Sequence, residues 1–286
     1  MTDALEGCRL KLDWAEKHLG ALTGEMKTFV ESEGPQTFPT KHDKANQTTT
    51  VFFREWRKIP PEWGVAIGDV IHNTRSALDH LVYQLVVLNR ATPHEVHQFP
   101  VLDSPRDWNR RVQNPPKGRR GLLDYIDPAQ IARIQALQPY MPNTGLPRLA
   151  VLRDFSNVDK HRLIHAARTT FVGVPKVSAS LEIPYTLSEL WSIPPGTILE
   201  DGDEIARFHA GLEIKIGEQL GNPVDDAPGA KSWAPVLPPN SDVHWMAEAD
   251  ITIVFGAPGV EYTRWREFQE AIDDVRRVVD SFVRWF

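Results

Sequence analysis

Apolar residues recur three and four apart in two stretches near opposite ends of this chain, and again in a third stretch between them. In the first, Leu5, Cys8, Leu12, Ala15, Leu19, Leu22, Met26 and Phe29 keep the alternation. That spacing is the seam of a helix packed lengthwise on another helix. It predicts a helix from about Asp3 to Glu33, weakened by Gly20 and Gly24 and ended by Gly34-Pro35. The last stretch, Glu261 to Phe286, repeats the pattern with Trp265, Phe268, Ile272, Val275, Val279, Phe282 and Phe286. The middle one opens on Pro60-Pro61, since proline suits a first helical turn, and runs to about Asn89. Its stripe is Ile67, Val70, Ile71, Ala77, Leu78, Leu81, Leu85 and Leu88. Seams of this kind need one another, so the three helices are expected to pack antiparallel in one bundle.

Other stretches have a different grain. TTTVFFREW, from Thr48 to Trp56, is rich in β-branched and aromatic residues and reads as a strand. Two further helices are expected over about Pro128 to Gln138 and Leu146 to Ala167. From Arg168, TTFVGV, VSASLEI, IARFHAGLEIKI and ADITIVFG read as strands, with a Pro- and Gly-rich loop from about Gly217 to Asp242. The expected fold class is α+β: a helical bundle of long antiparallel helices with a β-rich unit inserted before the C-terminal helix. The expected domains are residues 1–167 as a helical bundle with one strand near 48–56, residues 168–260 as the β-rich unit, and residues 261–286 as a helix returning to the bundle.

Hydrophobic residues are 41% and charged residues 24% of 286, the balance of a globular chain. The single cysteine, Cys8, excludes an internal disulfide and points to a reducing, cytoplasmic setting. The start MTDALEGCRLKLDW lacks a basic segment followed by an apolar one, so no secretory leader is expected. The most apolar run, Leu81 to Leu88, is too short to cross a bilayer, so no membrane partner is expected. A net charge of -6 argues against a general polyanion binder, yet residues 105–168 hold twelve basic against five acidic side chains. Within them, SPRDWNRRVQNPPKGRRG offers Arg106, Arg110, Arg111, Lys117, Arg119 and Arg120 to a phosphate-bearing partner. No P-loop, no GxGxxG after a strand and no GxSxG elbow occurs, so no cofactor is expected.

On a helical wheel the middle seam leaves His72, Ser76, Asp79 and Tyr83 in a polar line, flanked by Arg75 and His80. Arg75-Ser-Ala-Leu-Asp-His80 resembles the R-x4-H motif of the HEPN superfamily, helical-bundle proteins that include metal-independent RNA endonucleases. The resemblance implies a homodimer whose two helices form a composite site. It gives His80 the acid–base role for attack by the RNA 2′-hydroxyl, and Arg75 the stabilisation of charge on the phosphate. Asp79, one turn from Arg75, belongs to the same candidate catalytic set and pairs with the arginine. Ser76 stands where the family has Asn, Asp or His. The stretch IHNTRSALDHLVYQL, with NVDKHR later, also resembles uncharacterised bacterial proteins.

A second cluster lies in RLAVLRDFSNVDKHRLIHAA. If one helix spans it, Asp154, Asn157, His161 and His165 share a face, and His161 with His165 can grip a metal ion one turn apart. His72, His80 or Asp79 would complete such a site, an arrangement similar to the DinB-like metal-binding bundles. Three readings therefore stand at the level of sequence: an RNA-cleaving homodimer, a metal-dependent bundle, and a non-catalytic interaction protein whose polar clusters fix helix packing.

Overall fold

The computed structural model describes residues 3–32, 38–43, 45–46, 48–55, 57–116, 118, 120–160, 164–171, 176–179, 185–194, 197–212, 245–248, 251–257 and 260–286. It mixes helices with small sheets and is α+β in class. The chain divides into two units, Met1–Val30 with Ile59–Ala167 and Ile253–Phe286, and Glu31–Lys58 with Arg168–Thr252.

The first unit holds α1 (Glu6–Glu31), α2 (Glu62–Leu88), α3 (Pro105–Trp108), α4 (Pro128–Ala136), α5 (Arg148–Asp159) and α6 (Trp265–Asp280). The seam of α1 is buried from Leu5 to Met26, and so is that of α2 from Ile67 to Val86. Both face one core with Leu149, Leu152 and Phe155 of α5 and Phe268, Ile272 and Val275 of α6. Gly7 lies against His80, whereas Glu25 accepts from the Trp63 indole N–H at 3.1 Å, so α1 and α2 run antiparallel. Arg276 reaches Asp13 at 3.1 Å and Glu16 at 2.9 Å while Arg9 lies 3.9 Å from Asp280, so α6 runs antiparallel to α1 as well. The C-terminal seam stops short of its expected end. Phe282 is fully buried, but α6 ends at Asp280 and a 3-10 turn over Val283–Trp285 leaves Phe286 42% exposed.

Two sequence expectations change here. The helix expected to reach Ala167 ends at Asp159, and strand β3 (His165–Phe171) begins soon after. The strand near 48–56 is Thr48–Phe52, and it belongs to the second unit rather than to the helices. There β1 (Thr40–Asp43), β2 (Thr48–Phe52), β5 (Tyr185–Ser192) and β6 (Glu204–Leu212) form a sheet in the order β1-β2-β6-β5. Val51 pairs with Thr40 on one side and Ala206 on the other, antiparallel throughout. A small core of Phe38, Val51, Phe53, Leu199, Ile205 and Phe208 goes with it. The remaining strands are β4 (Lys176–Ala179) paired with β7 (Trp245–Glu248), and β8 (Ile251–Ala257) between β3 and β9 (Val260–Arg264).

Candidate phosphate-binding cavity

Residues 97–102 run between α2 and the turn that leads to α3, without joining a sheet, yet His97, Phe99, Pro100, Val101 and Leu102 are buried. A buried backbone must find partners for its N–H and C=O groups. Side chains supply them here. Asp79 accepts from the Phe99 N–H at 2.9 Å, and Arg75 donates to the Phe99 carbonyl at 2.6 Å. The two side chains meet at 2.9 Å, one helical turn apart, so α2 offers residue 99 a donor and an acceptor as a neighbouring strand would. On the other side Gln138, fully buried, donates to the Pro100 and Ile134 carbonyls and accepts from the Leu102 N–H.

This clamped segment forms one wall of a cavity of about 130 Å³. Arg75, Gln98, Arg111, Arg153, Ser156, Asn157 and Lys160 provide its polar lining, with no carboxylate among the lining residues. Each cation arrives by a separate route. Arg75 comes from α2, held by Asp79; burial pushes its guanidinium below the usual range and Asp79 opposes that. An arginine stays charged under both influences. Arg153 comes from α5 and is tied to Asp103 at 2.6 Å and Asp154 at 2.7 Å. Arg111 sits in a π-turn over Asn109–Gln113 that continues α3, closed by the Asn114 N–H on the Asn109 carbonyl at 2.8 Å. Such turns hold one residue more than an α-turn and recur at functional sites. Lys160 caps the end of α5. Among the described residues, neither Arg111 nor Lys160 forms an ion pair.

Of the residues singled out from sequence, Arg75 and Arg111 line the cavity. Asp79 stands behind Arg75 as its partner. His80 is elsewhere: its ring lies against Gly7 of α1, with Gln84 at 3.2 Å from Nε2, Tyr83 edge-on, and Nδ1 buried without a hydrogen-bond partner. Burial first, then the charge of Lys11, holds its imidazole below the usual histidine range. Arg106, Arg110 and Arg120 are exposed, Arg110 paired with Asp107 at 3.1 Å. Lys117, Arg119 and His161 lie outside the described residues. His165 opens β3, and the helix expected to carry it ends at Asp159. Among the described residues, no group of three or more His, Cys, Asp or Glu side chains is placed to hold a metal ion.

Arg153, Ser156 and Lys160 also line the cavity, though no motif in the sequence marks them. Their signal was present: residues 153, 156, 157 and 160 fall on one stripe of a helix together with Leu149, beside the buried Leu152 and Phe155. The same packing sets α5 close on α2, where a side chain added at Gly68 would meet the Asp159 carboxylate at 2.7 Å. No helix is long and apolar enough to cross a membrane among the described residues. No family model, no curated protein and no solved structure matches this chain.

Proposed function

We propose that this chain binds RNA, with a phosphate group seated in the cavity of Arg75, Arg111, Arg153 and Lys160. One observation carries the reading: four cations and three neutral polar side chains line one hollow, with no carboxylate among them. Such a lining favours a phosphate oxyanion, and forked guanidinium groups suit its geometry. RNA is the partner the HEPN resemblance implies. Arg106 and Arg120, exposed in the same basic segment as Arg111, extend the positive surface for a strand. In this reading the frame of the site is a helical bundle of α1, α2, α5 and α6, with residues 168–252 inserted as a β-rich unit. A cytoplasmic protein working as a homodimer goes with it.

Binding is better supported than cleavage. A proton-moving His80 should face the ligand, and its ring instead packs on Gly7, away from the cavity lining. Arg75 is engaged with Asp79 and Phe99. The test is fluorescence anisotropy with a single-stranded RNA of mixed sequence. Wild-type protein should bind it in a salt-dependent way. Arg111→Ala should weaken binding and lower the slope of log affinity on log salt by about 0.7, the value for one lost contact on a single strand. No binding at low salt would end the reading. RNA cut in the presence of EDTA by the wild type, and left whole by His80→Ala, would replace binding with cleavage.

A further inference from the structure

We infer that the cavity takes the phosphate at an RNA end, a phosphate monoester, in preference to a phosphodiester inside the strand. The inference rests on the RNA-binding reading and adds which chemical group is recognised. Size is the first reason. Pockets that enclose whole small molecules run to roughly 300–1,000 Å³, and this one is about 130 Å³. A phosphate group fits, and a nucleoside does not. An internal phosphodiester carries sugar on two sides and needs a groove open at both ends. A terminal phosphate has chain on one side only and can enter a hollow.

Charge is the second reason. Arg75 is matched by Asp79, and Arg153 by Asp103 and Asp154. Arg111 and Lys160 have no ion-pair partner among the described residues and supply two positive charges without a local counter-charge. A phosphate monoester carries about -1.5 to -2 near neutral pH, against -1 for a diester. The monoester is the closer match. It also exposes three oxygens where the diester exposes two, and Ser156, Asn157 and Gln98 stand in the lining beside the cations. The paired arginines are held in place before any ligand arrives, so little ordering remains to be done on binding.

The experiment compares three single-stranded RNAs of one sequence, labelled internally: one with a 5′-phosphate, one with a 3′-phosphate and one with hydroxyl groups at both ends. Anisotropy titrations with the full chain should show that one phosphorylated end tightens binding about tenfold or more over the hydroxyl-ended RNA. Which end does so identifies the polarity of the strand. Inorganic phosphate should compete away that gain in the wild type. The double variant Arg111→Gln/Lys160→Gln, at two exposed positions, should bind all three alike. Equal binding of the three RNAs by the wild type overturns the terminal-phosphate inference and leaves RNA binding in place. Failure to bind any of them overturns both. A gain that persists in the double variant, with the variant melting as the wild type does, places the phosphate elsewhere and also overturns the inference.

Discussion

The His80 ring occupies the space a side chain at residue 7 would need, so that a Cβ added to Gly7 falls on the imidazole. This contact sets how closely α1 approaches α2. Gly7→Ala should destabilise the protein by about 1–2 kcal/mol, since overpacking must move either the ring or the helix. In a His80→Ala background the same change should cost little. Urea melts of the four proteins in this double-mutant cycle measure the coupling, and additive losses would refute the contact.

Arg75 and Asp79 hold one residue of a neighbouring segment by both its N–H and its C=O. Removing either partner leaves a half-buried charge and an unbonded backbone group at Phe99. Asp79→Ala and Arg75→Ala should each cost about 2–4 kcal/mol. Hydrogen exchange at the Phe99 amide should speed up in Asp79→Ala, where its acceptor is lost, and less in Arg75→Ala. Unchanged protection in both would show that the clamp is not what holds residues 97–102.

The end of the chain offers a contrast between two phenylalanines. Phe282 is fully buried and packs on Trp285 with ring centres 5.0 Å apart. Phe282→Ala should cost about 3–5 kcal/mol. Phe286 is 42% exposed, and Phe286→Ala should stay within about 0.5 kcal/mol of wild type. Thermal melts of the two variants decide it, and similar losses would mean the last turn packs differently.

Acid should weaken the fold through its histidines before its carboxylates. Burial, aided by Lys11, holds the His80 imidazole below the usual range; burial, aided by His94, does the same for His97. With folded values below unfolded ones, the unfolded state takes up protons first. Stability is therefore kept above about pH 6.5, the unfolded value, and lost as pH falls below it. Denaturant midpoints between about pH 7.5 and 5.5 should fall with acid, and the fall should be smaller in His80→Gln. An equal slope in that variant would assign the effect to other groups.

The long helices were legible because their cores are written as repeats: Leu5 to Met26 and Phe268 to Val279 are buried where the alternation puts them. The end of α5 was not. Leu163 and Ile164 continue an apolar pattern that suits a helix, but β8 lies beside the residues that follow, and strand pairing outweighs a few tenths of a kcal/mol of helix propensity. The mixed class of the fold was visible in the change from helical spacing to β-branched stretches, whereas the placing of Thr48–Phe52 beside Glu204–Leu212 depends on pairing across some 150 residues that no local signal carries. The cavity was half legible for the same reason. Arg75 and Arg111 stood out on their own helix and basic stretch, while Arg153 and Lys160 gain meaning only when α5 is laid on α2.

The first unit is assembled from three separate stretches of chain, with residues 168–252 made between α5 and α6. A ribosome adds about 5–20 residues per second, so α1, α2 and α5 emerge several seconds before Phe268, Ile272 and Val275 exist to cover them. During that interval the part of their apolar faces that α6 covers in the finished fold lacks its partner. The nascent chain is thus a natural client for chaperones that shield apolar helices. Its yield in a cell should depend on how long the wait for α6 lasts.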